Sequence, residues 1–179
     1  AELGRDVLHI VPTGDAWHKS RPLSAAVHRL TMCRLAFAGV PGVVVDDREL
    51  QRAGPTYTID TLLELQARHP GAELWLQIGA DQARFFRHWH RAAEIIALAR
   101  VSIAVRAGMG PDEAAFDPAD PLPGLDLGAA RGVRVLRMPP LPHSATEVRQ
   151  RAARGLPVDH LVPPPVARYI AEQQLYTTV

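Results

Sequence analysis

The sequence is poor in the features that would place it in several large classes. It holds one cysteine, Cys33, so no internal disulfide can form and nothing in it calls for an oxidising compartment. No apolar run approaches the roughly 20 residues that a bilayer-spanning helix needs, and no basic segment followed by an apolar stretch opens the chain. Neither sign of charge is in excess. Lys and Arg number 20 against 19 Asp and Glu, a net of +1, without the strongly basic footprint that wrapping a nucleic-acid backbone leaves. What remains is 179 residues, 47% of them hydrophobic, an ordinary mixture with enough length for a real core. The expectation is a cytoplasmic protein forming a single domain over 1–179, with a helical C-terminal part at 144–179 and neither nucleic acid nor membrane as partner. Ala1 to Asp6 reads as the last turn of a helix with its Gly stop, as though the chain begins inside a fold.

Five short runs rich in Val, Ile and Leu recur at Val7 to Val11, Val43 to Val45, Leu74 to Ile78, Val101 to Val105 and Val133 to Leu136. Such runs suit strands buried on both faces. Between and after them, apolar residues at spacings of three and four predict helices over Leu23 to Ala38, Ile59 to Ala67, Ala92 to Leu98, Ala145 to Ala153 and Val166 to Leu175. The alternation predicts an α/β fold, a Rossmann-like doubly wound parallel sheet with helices on both faces. Gly110 to Arg131, dominated by Pro, Gly, Asp and Ala, reads as a long surface loop with one helical turn. Cys33, beside Met32 and Leu35, reads as a core thiol.

Ligands of open α/β sheets bind beyond the carboxyl ends of the strands, which directs attention to the residues that follow each run. His18-Lys19 follows the first, where an ammonium and an imidazole suit a polyphosphate as well as they suit solvent. Gly79-Ala80-Asp81 ends the third: a glycine for close approach and a carboxylate for ribose hydroxyls, or an Asp capping the next helix. Arg106 ends the fourth, as a phosphate clamp or a surface ion-pair partner. After the fifth, Ser144-Ala145-Thr146-Glu147 fits a capping box, and the same free amides and hydroxyls, with Arg149 one turn on, fit an anion site. Trp89 offers an indole for stacking or for core packing. Its neighbours His88 and His90 have no further His or Cys at ligand spacing, so no metal site is assigned.

Taken in order, these segments resemble the nicotinate mononucleotide adenylyltransferases of the nucleotidyltransferase α/β-phosphodiesterase superfamily. Val11-Pro12 through His18-Lys19 is similar to the family's strand and Pro-Pro-His-Lys loop, with Ala16-Trp17 where two prolines are usual. His28-Arg29-Leu30-Thr31-Met32 resembles its His-Arg-x-x-Met helix. Gly54-Pro55-Thr56-Tyr57-Thr58-Ile59-Asp60-Thr61-Leu62 resembles the Gly-Pro-Ser-Tyr-Thr-x-Asp-Thr-Leu block, the most specific match. Ile78-Gly79-Ala80-Asp81 with Trp89, and Ser144-Ala145-Thr146-Glu147-Val148-Arg149, complete the series.

The resemblance implies transfer of the adenylyl group of ATP to nicotinate mononucleotide, with magnesium riding on the nucleotide phosphates and no protein ligand named for it. It implies contact with the phosphates for His18 and Lys19, the nicotinate subsite for Tyr57, Thr58, Trp89 and His90, and the adenosine ribose for Gly79 and Asp81. Ser144, Thr146 and Arg149 would take the ATP β- and γ-phosphates, and Arg106 is a further candidate on the ATP side. Within the superfamily, nicotinamide mononucleotide or pantetheine phosphate are alternative acceptors, and a nucleotide-binding domain without catalysis is the reading from another class. The family's leading signature, a Gly-rich first strand followed by a His-x-x-His or His-x-Gly-His motif, has no counterpart before Val7. The expectation is a chain short of that strand and most of a helix, about 20 to 30 residues by usual element lengths, with impaired transfer in a polypeptide lacking them.

Overall fold

The computed structural model describes residues 4, 6–14, 24–106, 116–139 and 144–177. In chain order the elements are β1 (Leu8–Ile10), α1 (Ala26–Ala36), β2 (Val43–Val45), α2 (Arg48–Gln51), α3 (Thr58–Arg68), β3 (Trp75–Gly79), α4 (Ala80–Phe85), α5 (Ala92–Leu98), β4 (Arg100–Arg106), β5 (Val133–Met138), α6 (Ala145–Ala153) and α7 (Pro164–Glu172). All five apolar runs become strands, and every strand pair is parallel. The α/β class follows directly. Among the described residues, no helix is long and apolar enough to cross a membrane.

The chain divides into two compact units, one made of Ala1–Thr56 with Pro142–Val179 and the other of Tyr57–Leu141. In the first, β1 pairs with β2 from Leu8 opposite Val43 to Ile10 opposite Val45. Its core gathers Val148 of α6, Val158, and Val166 and Ile170 of α7, with Met32 and Leu35 packed against them. The four-residue spacing of Val166 and Ile170 puts both on one face of α7. That helix starts on Pro164 and Pro165, where a missing amide leaves no intrahelical bond unmade. Cys33 is half-buried and stands outside this cluster, so it is not the core thiol that its apolar neighbours suggest.

In the second unit, β4 runs between β3 and β5, paired from Trp75–Arg100 to Gly79–Ala104 on one side and from Val101–Val133 to Arg106–Met138 on the other. A strand flanked on both edges should be apolar throughout, and Val101 and Ile103 are fully buried. Ser102, also fully buried, donates its hydroxyl to Gln77 Oε1 at 2.6 Å, which removes the cost of an unpaired polar group. Ile59 and Leu62 of α3, Ile95 and Ile96 of α5, and Phe86 complete the core. Leu122 is fully buried in it. The Pro- and Gly-rich segment around it is therefore not wholly on the surface, because one leucine anchors it. Among the described residues of that segment, the expected helical turn is a 3-10 turn at Leu127–Ala129.

Side chains cross-link β1 and β2 at one charged point. Asp46 Oδ2 accepts from Arg48 Nη2 at 2.6 Å and Nε at 2.9 Å and lies 3.1 Å from His9 Nδ1, while Asp46 Oδ1 accepts from the Arg48 amide at 3.2 Å. Burial pushes the Asp46 carboxyl up, but the Arg48 and His9 hydrogen bonds outweigh it and hold the group at about 2. A folded-state value below the ordinary 3.8 adds stability that is complete above that value and is lost as pH falls toward 2. Asp46→Asn should cost about 1 to 2 kcal/mol at pH 7, the lower figure allowing for solvent screening. In urea denaturation the gap to the unsubstituted protein should close between about pH 4 and pH 2. A gap undiminished at the acid end would place the loss elsewhere.

Candidate active site

The unit Tyr57–Leu141 builds an aromatic corner from two stretches. Tyr57 is the N-cap of α3 with extended backbone and makes no side-chain cap bond, and its carbonyl accepts from the Asp60 and Thr61 amides at 3.2 and 3.4 Å. The Tyr57 ring lies against the His90 imidazole, centroids 4.2 Å apart and 33° between planes. Trp89 packs on Phe86 at 4.9 Å and 32°, and Phe86 is fully buried. Trp89 itself is only half-buried, so the indole serves packing and remains partly open to solvent. The turn carrying it is pinned by the Trp89 amide on Phe86 O at 2.9 Å and by the Ala92 amide on Trp89 O at 3.2 Å. Arg91, next in line, adopts the left-handed region at φ 55°, rare for a side chain of its kind. Its guanidinium forks onto Glu94 with Nε to Oε1 at 2.7 Å and Nη2 to Oε2 at 2.6 Å. His88 accepts from Arg87 Nε at 3.1 Å.

Gly79 closes β3 and stands at the N-cap of α4, which puts Asp81 inside the helix and excludes it as the cap. The Asp81 carboxylate folds back over the glycine: a Cβ added at Gly79 would meet Asp81 Oδ1 at 2.5 Å. A side chain at this position would push the carboxylate aside, which it can do because the group is the free end of the Asp81 side chain. Gln82 Nε2 donates to the other carboxylate oxygen at 3.1 Å. Arg106 is the last residue of β4, opposite Met138, and its side chain lies outside the description.

In the first unit, the start of α6 brings Ser144, Thr146 and Arg149 together. Ser144 Oγ accepts from the Glu147 amide at 3.0 Å, the forward half of the predicted capping box. Arg149 Nη2 donates to Thr146 Oγ1 at 3.0 Å. A hydroxyl that accepts on a lone pair keeps its own proton to donate, so capping and anion binding are compatible at Ser144. A cavity of about 290 Å³ opens beside them, with Ser144 and Arg149 on its wall and Met32, Val148 and Ile170 among its apolar residues. His18 and Lys19 lie outside the described residues. Among the described residues, no group of three or more His, Cys, Asp or Glu side chains converges in a way that would hold a metal ion.

Sequence reasoning missed Phe86 as the support of Trp89 and Arg91 as the clasp of the turn. Two adjacent phenylalanines carry no sign of which points inward, and a left-handed arginine has no compositional signature. It also missed the Asp46–Arg48 pair, which two separate charges after a strand do not announce.

The family model described as Cytidylyltransferase-like matches residues 1–151. A protein of Albidiferax ferrireducens described as "Probable nicotinate-nucleotide adenylyltransferase" is 49% identical over 178 residues, covering 99% of this chain and 86% of the relative. A protein of Chromobacterium violaceum with the same description is 38% identical over 185 residues, covering 98% and 86%. Among solved structures, the Plasmodium falciparum nicotinic acid mononucleotide adenylyltransferase complexed with NaAD superposes with a TM-score of 0.67 at 16% identity, covering 96% of this chain and 82% of that one, which shows the shared fold. The chain belongs to the cytidylyltransferase-like family, within its group of nicotinate-nucleotide adenylyltransferases.

Proposed function

We propose that the protein transfers the adenylyl group of ATP to nicotinate mononucleotide, giving nicotinate adenine dinucleotide and pyrophosphate, a late cytoplasmic step toward NAD. The observation that carries the reading is the half-exposed Trp89 indole seated on buried Phe86 beside the Tyr57–His90 pair, in a chain of this family. A flat pyridine ring takes an indole face, and its carboxylate suits the helix start at Thr58 and the backbone near His90. Gly79 and Asp81 serve the ribose of ATP. Ser144, Thr146 and Arg149 take its β- and γ-phosphates, with Arg106 as a further cation and His18 and Lys19 on the reacting phosphates.

In the reaction, a phosphate oxygen of the mononucleotide forms a bond to the α-phosphorus of ATP while the bond from that phosphorus to the bridging β-oxygen breaks. Pyrophosphate leaves with the electron pair. An attacking phosphate that is already ionised needs no base and no covalent enzyme intermediate, so the residues act by positioning and charge. Magnesium enters on the ATP phosphates as part of the substrate.

Full-length protein offered ATP with nicotinate or nicotinamide mononucleotide should release pyrophosphate at least about tenfold faster with the acid, the size of effect expected for one charge-assisted recognition. Comparable rates would remove the acid-specific assignment. Binding of a non-hydrolysable ATP analogue without turnover on either acceptor would favour a non-catalytic nucleotide-binding domain.

A further inference from the structure

Trp89 and His90 stand on a turn that is rooted in the core at both ends. On one side the Trp89 amide donates to Phe86 O at 2.9 Å, and Phe86 is fully buried. On the other, α5 begins at Ala92 and buries Ile95 and Ile96. Between these anchors the Trp89 carbonyl accepts from the Ala92 amide at 3.2 Å, closing a four-residue turn whose two central residues, His90 and Arg91, are exposed.

The third position of that turn has a left-handed backbone, with φ 55° and ψ 42° at Arg91. Glycine or asparagine ordinarily stands at such a position, because a larger side chain there crowds the backbone. Arginine meets that cost with its own side chain, whose guanidinium forks onto both carboxylate oxygens of Glu94 at 2.7 and 2.6 Å. The Arg91 carbonyl accepts from the Glu94 and Ile95 amides at 3.0 and 3.1 Å, so backbone and side chain of one residue both grip the first turn of α5. The two side chains are 39% and 57% exposed, and an exposed ion pair adds little to global stability. Its effect is local, on the strained residue that joins Trp89 and His90 to α5. A plain surface ion pair at helical spacing would not need left-handed backbone.

We propose that Arg91 is a positioning residue for the acceptor mononucleotide: its fork to Glu94 holds turn 89–92 in the shape that seats Trp89 on Phe86 and His90 against Tyr57. The inference rests on the adenylyl-transfer reading above and assigns to that site a residue which touches no substrate. A subsite ordered in advance spares its ligand the cost of ordering it, so a loosened turn weakens acceptor binding and leaves ATP, which that reading places on other residues, unaffected.

The test pairs Arg91→Gly with Glu94→Gln in the full-length protein, with ATP and nicotinate mononucleotide as substrates. Arg91→Gly keeps the left-handed backbone open and removes the fork, so Tm should stay within about 3 °C of the unsubstituted protein. KM for the mononucleotide should nevertheless rise about tenfold, with kcat and KM for ATP within about threefold. Glu94→Gln breaks the same fork without touching the turn and should give the same split, which also decides the matter should Arg91→Gly fail to fold. The double variant should be no worse than Arg91→Gly alone, since both remove one contact, and Arg91→Lys should recover little because an ammonium cannot fork. An unchanged KM for the mononucleotide, an equal rise in KM for ATP, losses that multiply in the double variant, or full recovery by lysine would overturn the inference. Hydrogen exchange reads the clasp without turnover: the Trp89 and Ala92 amides, the two donors that hold the turn, should exchange about tenfold faster in Glu94→Gln, and unchanged exchange at both contradicts it. A protein that shows this exchange change but makes no dinucleotide would keep the clasp and remove the proposed function.

Discussion

Truncating Phe86 to alanine is expected to destabilise the protein by about 3 to 5 kcal/mol, the usual cost of removing a fully buried aromatic side chain. Phe86 sits between the core built by Ile59, Ile95 and Ile103 and the indole of Trp89, so the cavity left behind opens under the proposed nicotinate subsite as well as in the core. Thermal unfolding should show a drop in Tm of about 10 °C, and KM for nicotinate mononucleotide should rise as Trp89 loses its seat. The internal control is one residue away. Phe85 is 57% exposed, and Phe85→Ala should cost less than about 1 kcal/mol. Equal losses at both positions would mean that the inward residue has been misassigned.

Arg149→Ala is expected to lower kcat/KM for ATP by about a hundredfold, the value of a forked, charge-assisted contact to phosphate. The side chain is already partly ordered, since its Nη2 donates to Thr146 Oγ1 at 3.0 Å. Less freedom is lost when it turns to a phosphate than for an arginine in open solvent. Arg149→Lys should recover only a small part, because lysine supplies the charge without the fork. Steady-state kinetics with ATP as the varied substrate separates the cases. A variant that loses less than about threefold would show that the α6 start is an ordinary capped helix.

Much of the fold was legible because short runs rich in Val, Ile and Leu mark strands, and all five runs pair in parallel, although Val44 of β2 stays exposed. Helix starts were less legible. The apolar spacing pointed to Ile59, whereas α3 begins at Thr58 after an N-cap that has no capping side chain. Leu122 was misplaced on the surface since its Pro, Gly and Asp neighbours carry a loop signal that one anchoring leucine does not cancel. At the site, Tyr57 and His90 are 33 residues apart, and it was the family resemblance, which implies one subsite for both, that put them together rather than any spacing in the sequence. Elsewhere in the fold, Arg29 of α1, which donates from Nε to Ser24 O and from Nη1 to Thr13 O, was not foreseeable in the same way. Its partners are carbonyl oxygens, which every residue possesses, so no pattern of residue types records the contact. The capping-box motif at Ser144 was legible for the opposite reason, since its geometry is dictated by residue type and spacing.

The fate of labelled phosphorus separates adenylyl transfer from hydrolysis of ATP and from binding alone. Full-length protein supplied with nicotinate mononucleotide and ATP labelled at the α-phosphorus should move the label into nicotinate adenine dinucleotide, while label at the γ-phosphorus appears wholly in pyrophosphate. Label released as AMP or inorganic phosphate, at a rate indifferent to the mononucleotide, would contradict the account.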